Sequence, residues 1–144
     1  REIFPVTDII VNGANDSRVN IVFLGDGYRQ DEMDDYIDDV HDVTSALFET
    51  VPYSNYTNYF NVYAVEVPSD HSGTDHPGTA PDCGGYNDNI FYADTYFDSS
   101  FDLYNIHRLL YIQDQSIAFD VLSSPVLIVV RFIRYFFKGY LAFK

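Results

Sequence analysis

Between positions 68 and 89 the chain places Asp70, His71, Asp75, His76 and Cys83 within a short span. Imidazole and thiolate groups are zinc ligands, and carboxylate oxygens suit calcium, so Asp70, His71, Asp75 and His76 are the candidate metal ligands of this sequence. Their spacing matches no zinc signature: there is no Cys-x-x-Cys, no His-x-x-x-His and no EF-hand loop. The competing reading is turn chemistry, in which Asp, Ser, Thr and Gly side chains cap a solvated loop. A connection this long inside a compact domain is functional or mobile.

Other residues that could do chemistry carry less. His107 stands beside Arg108 in an apolar stretch, and His41 lies in an acidic segment. Both read as packed or ion-paired histidines rather than ligands. No Gly-x-Ser-x-Gly elbow exists for a serine hydrolase. Gly25-Asp26-Gly27 lacks the further glycine spacing of a phosphate loop or dinucleotide fingerprint. Asp26 can accept hydrogen bonds from backbone N–H groups of its own turn or of the helix behind it. Asp34, Asp35, Asp38, Asp39 and Asp42 form a strip that reads as a solvated helix face.

The elements that must hold these residues follow from periodicity. Ile21-Val22-Phe23-Leu24 is a buried strand that ends in a Gly-x-Gly turn. From 30 to 50, Met33, Tyr36, Ile37, Val40, Val43, Leu47 and Phe48 recur at spacings of three and four, the stripe of an amphipathic helix. Residues 60–67 form a second strand, apolar on both faces, so 21–67 is a strand–helix–strand unit with a parallel strand pair. Residues 106–112 predict a third strand, 113–123 a short helix, and 126–130 a fourth strand continuous enough to lie centrally in a parallel sheet. Ile9-Ile10-Val11, followed by Asn12-Gly13, predicts a hairpin into residues 20–24. The fold class is α/β, with a mixed, mostly parallel sheet and packed helices. Residues 1–130 form one unit, and 131–144 form a basic and aromatic tail holding Arg131, Arg134, Lys138 and Lys144.

The totals exclude some partners. With 144 residues, 47% hydrophobic, the chain has material for a core. A formal charge of -14 repels phosphate backbones and anionic membrane surfaces, which argues against nucleic-acid binding. No run reaches the roughly 20 apolar residues of a membrane span. Cys83 is the single cysteine, so no disulfide can form within the chain.

Asn20-Ile21-Val22-Phe23-Leu24-Gly25-Asp26-Gly27-Tyr28 resembles the strand and turn that open the catalytic domain of the IgA-peptidase-like zinc metallopeptidases. The resemblance continues through Met33, Ala46-Leu47-Phe48 and Pro52-Tyr53. It runs on through Tyr59 to Ser69, Ser72-Gly73-Thr74-Asp75-His76-Pro77-Gly78, Ser100-Phe101-Asp102, Arg108-Leu109-Leu110 and the 126–130 strand. It thus covers roughly residues 19–130, in order.

The resemblance implies a zincin-like half domain of a secreted or cell-envelope bacterial peptidase that acts on protein or peptide. It implies zinc held by a downstream His-Glu-x-x-His helix, whose glutamate activates the bound water. This chain has no such motif, and residues 131–144 depart from the family pattern. No catalytic residue can therefore be carried over, and the expectation is a truncated, inactive member with possible self-association through its tail. The alternative is a non-catalytic acidic binding module that uses the 68–89 loop for calcium, a glycan or a protein; a hydrolase built on Asp and His is a third reading.

Overall fold

A computed structural model describes residues 3–80, 90–107, 109–113, 115–121 and, as backbone, 128–133. Cys83 with the 81–89 part of the long loop, Val126, Leu127 and residues 134–144 lie outside the described residues.

The order of elements is β1 (Val6–Ile10), β2 (Val19–Asp26), α1 (Met33–Glu49), β3 (Phe60–Val65), β4 (Ser99–Ser100), β5 (Tyr111–Ile112), α2 (Gln115–Val121) and β6 (Ile128–Ile133). A mixed four-stranded sheet has the order β1-β3-β2-β6. β2 pairs in parallel with β3, Val22 opposite Tyr63, and in parallel with β6, Val22 opposite Val129. β1 runs antiparallel to β3. The β6 backbone continues through position 131 to Ile133, opposite Asp26.

β2 is the axis of the molecule because both of its faces are covered. Ile21 and Phe23 point toward α1 and cluster with Tyr28, Met33, Tyr36, Val40, Val62 and Ala64. Val22 and Leu24 point the other way and cluster with Val65, Val67, Phe97, Ile112 and Ala118 of α2. This alternation is the period of two expected of a strand, with apolar residues in both phases.

Helix α1 begins where its stripe begins. The Glu32 carboxylate folds back to accept the Arg29 N–H at 2.9 Å, and Asp34 and Asp35 lie in the first turn, where the helix dipole favours negative charge. The stripe is most deeply buried at Met33, Tyr36 and Val40, while Leu47 and Phe48 are only partly covered. Tyr36 crosses to the sheet and donates its hydroxyl to the Phe23 carbonyl at 3.0 Å. We therefore expect Val40→Ala to cost about 2–3 kcal/mol, from the lost methyl groups and the cavity they leave. Leu47→Ala should cost less, about 1–2 kcal/mol, because Leu47 is half-buried. Denaturant midpoints of the two variants check this order, and an equal or reversed pair would show that the helix is seated differently.

Four expectations are corrected. The 126–130 strand, expected to lie centrally, stands at the edge of the four-stranded sheet among the described residues. The hairpin between 9–11 and 20–24 does not form; β1 joins β3 instead. The physical reason is Asn61, fully buried in β3, whose carboxamide oxygen accepts the Asn12 and Gly13 N–H groups at 2.9 and 3.3 Å. Its amide donates to Gly13 O and to Asn20 Oδ1, both at 3.0 Å, and so draws the 12–13 turn onto the β3 side of β2. The 106–112 strand shrinks to Tyr111–Ile112 and pairs with β4 in a separate two-stranded sheet. His107 consequently sits in a turn rather than a strand. The strand predicted over 60–67 ends at Val65.

Candidate functional site

The segments that follow β2 and β3 meet at the carboxyl end of β2, the end at which open α/β sheets place their binding crevices. Residues 69–76 cross over the Gly-x-Gly turn. The Ser69 N–H donates to Tyr28 O at 2.8 Å, the Gly27 N–H to Ser69 Oγ at 3.1 Å and the Gly73 N–H to Gly27 O at 2.9 Å. Gly27 has φ of 75°, and its Cα faces the Gly73 carbonyl so closely that a Cβ would lie 2.0 Å from that oxygen. This close approach is what the second glycine of the turn is for.

Segment 91–101 then lies against 71–76. His71 N–H donates to Asp94 O at 2.9 Å, His76 N–H to Phe91 O at 2.8 Å and Asp75 N–H to Ser99 O at 3.1 Å. Thr74, fully buried, donates its hydroxyl to Ser99 O at 2.6 Å.

Asp26 stands beneath this crossing and is 2% exposed. Its carboxylate accepts Ser69 Oγ–H at 3.2 Å, Thr95 Oγ1–H at 3.0 Å and Phe97 N–H at 3.2 Å. Burial raises its pKa above the ordinary carboxylate value, against the lowering effect of these hydrogen bonds. The expected partners in its own turn or in the helix are thus replaced by groups more than 40 positions away in the chain. Asp26 pins two loops to the end of β2.

A second cluster lies around Asp102. One carboxylate oxygen pairs with His107 Nδ1 at 2.8 Å, and the other accepts the Thr79 and Ala80 N–H groups at 2.8 and 3.3 Å. Burial pushes its pKa up, but the His107 contact and the two backbone donors outweigh this and hold the carboxyl below its usual range. His76 stacks on Phe101 with ring centres 4.4 Å apart and lies 5.9 Å from the His107 ring. Burial and the neighbouring His107 lower the His76 pKa, against the raising effect of Asp102 and Asp75. The backbone here is unusual: Asp102, Tyr104 and Asn105 all have positive φ, of 68°, 54° and 61°. Asp and Asn tolerate that region, and Tyr104 is the outlier.

The four candidate ligands have separate surroundings. Asp70 is exposed. His71 Nδ1 accepts the Asp94 N–H at 2.9 Å, and Asp75 Oδ1 accepts the Ala93 N–H at 2.8 Å. His76 alone faces another imidazole. Among the described residues no group of three or more His, Cys, Asp or Glu side chains is gathered as a metal ion would need. His41, expected to be packed or ion-paired, is exposed on α1, whereas His107 is partly buried with its Nδ1 2.8 Å from the Asp102 carboxylate. Asp39, expected on the solvated strip, instead accepts the hydroxyl of the buried Tyr28 at 2.7 Å. Asp102 carries little signal in the sequence: an Asp followed five residues later by His, across a turn marked by Asn105.

A mixed α/β domain of this kind places a ligand crevice at the carboxyl ends of its parallel strands. The sequence model of the IgA Peptidase M64 family matches residues 8–135, and the chain belongs to that family. No curated protein matches the chain. The zinc motif of such peptidases does not fit the residues present: His41, His71, His76 and His107 are followed by Asp, Ser, Pro and Arg, never Glu. Among the described residues no helix is long and apolar enough to cross a membrane.

Proposed function

We propose that this chain supplies the sheet-and-crossover scaffold of a zinc-dependent peptidase domain acting on protein or peptide substrates, and that these 144 residues alone catalyse no hydrolysis. The observation that carries the reading is the family match over residues 8–135 in a sequence without a single His-Glu pair. In His-Glu-x-x-His peptidases two imidazoles on one helix face hold the metal and the glutamate takes a proton from its water. Neither function has a residue here, so the zinc ligands belong to polypeptide outside this sequence. A secreted or envelope location in a bacterium is part of the same proposal and rests on the family resemblance. Self-association through the 131–144 tail is a further part of the proposal and rests on its aromatic and aliphatic residues, which suit the covering of an exposed apolar face; because β6 pairs with β2 as far as Ile133, a deletion probing it should begin at position 134 rather than 131.

The coding DNA beyond Lys144 tests the reading. We expect a His-Glu-x-x-His codon run in one of the three frames. An open frame that continues without that motif would overturn the peptidase reading and favour a binding module.

A further inference from the structure

We propose that His76 and His107 form a two-histidine site for a divalent transition-metal ion, with the buried Asp102 orienting His107. The site is distinct from the zinc motif of the family, because neither histidine is followed by Glu. It goes beyond the peptidase reading and does not depend on it.

The ring centres of His76 and His107 are 5.9 Å apart and their planes are inclined by 47°. Two imidazoles on one ion, each with its ligand nitrogen about 2.0–2.1 Å from the metal, leave ring centres roughly 5–6 Å apart. Asp102 supplies the support that metal-binding histidines typically have, a carboxylate on the other ring nitrogen. Its side chain is 1% exposed and contacts His107 Nδ1 at 2.8 Å. That contact places the Nδ1 proton toward the carboxylate and the lone pair on Nε2. The carboxylate cannot swing away, since its second oxygen is held by the Thr79 and Ala80 N–H groups.

Phe101 walls one side, 4.4 Å from the His76 ring and 6.0 Å from the His107 ring, while the His107 side chain keeps 15% exposure to solvent. Fastening the 79–80 turn accounts for Asp102 and His107, and packing on Phe101 holds His76; the metal reading rests on the two imidazoles lying side by side at a spacing one ion can bridge. Imidazole donors select zinc, copper and nickel, whereas magnesium and calcium take oxygen ligands. With no third His, Cys, Asp or Glu gathered among the described residues, water completes the coordination.

Isothermal titration of the chelator-treated chain with zinc chloride, nickel chloride and magnesium chloride tests this. One zinc or nickel ion should bind per chain, and magnesium should not. His76→Gln should weaken zinc binding at least about tenfold, and Asp102→Asn about 10–100-fold, the usual effect of removing a supporting carboxylate. His41→Gln, an exposed change on α1, should leave it unaltered. His107→Gln removes a group that Asp102 holds and so disturbs the turn as well as the site. His76→Gln lies outside that pair and is the deciding variant, once its circular dichroism matches the parent. Absence of zinc uptake, equal binding of magnesium, or undiminished binding in folded His76→Gln would overturn the site. Undiminished binding in Asp102→Asn would overturn the orienting role.

Discussion

Gly27→Ala should cost about 3–5 kcal/mol and lower the denaturant midpoint well beyond the effect of Gly13→Ala. Two effects add. At φ of 75° an alanine pays the left-handed penalty of about 1–2 kcal/mol. Its Cβ would also lie 2.0 Å from Gly73 O and 2.8 Å from Gly73 C, which are backbone atoms and cannot rotate aside. The 69–73 crossing would have to lift, breaking the Gly73 N–H to Gly27 O bond and stretching the Ser69 contacts. Gly13→Ala is the control. Its Cβ meets only the end of the Arg18 side chain, at 2.8–2.9 Å, and that guanidinium can move, so the change should stay within about 1 kcal/mol. Comparable losses from the two substitutions would show that the loop crossing is not where the structure puts it.

Asp26→Ala is expected to cost about 3 kcal/mol or more. It leaves the Phe97 N–H and the Ser69 and Thr95 hydroxyls without their common acceptor in a buried place, and each such group costs about 1–3 kcal/mol when unsatisfied. The hydroxyls can turn to other acceptors; the Phe97 amide cannot. The pH dependence has a definite sign. Because the folded-state pKa of Asp26 is raised above 3.8, the native state binds the proton more tightly than the unfolded chain does. The contribution of Asp26 to stability is therefore greatest below the unfolded value and falls as pH rises through the folded value. The stability of the parent relative to Asp26→Asn should thus decline from acid toward neutral pH. A relative stability that rises over that interval would mean that hydrogen bonding, not burial, dominates at this carboxylate.

How far the sequence discloses this molecule depends on the range of the interactions. β2, α1 and β3 are legible because each is written in local periodicity, strongly enough to survive any tertiary context. The partner of β1 is not, because the choice lies with the Asn61 carboxamide, 48 positions from Gly13. Local turn signals at Asn12-Gly13 are the same for a hairpin and for a chain passing to the next strand. The Gly-x-Gly turn announces a close approach but not that Gly73 makes it. Chemistry shows the same limit. His76 is visible as a ligand type, yet its neighbour His107 looks like a strand residue until the positive-φ turn at Asp102, Tyr104 and Asn105 folds it back. The peptidase relationship is legible because it rests on many ordered short matches, and the family match over 8–135 bears that out.

A metallopeptidase scaffold without the His-Glu-x-x-His motif should have no peptidase chemistry of its own, and one assay tests this most directly. Purified chain, loaded with excess zinc, should be incubated with fluorescently labelled casein and with immunoglobulin A, in parallel with a chelator-treated sample. No cleavage above the buffer background is expected in either sample, even if zinc binds at His76 and His107. Cleavage that appears with zinc, disappears with chelator and co-purifies with the folded chain would contradict it.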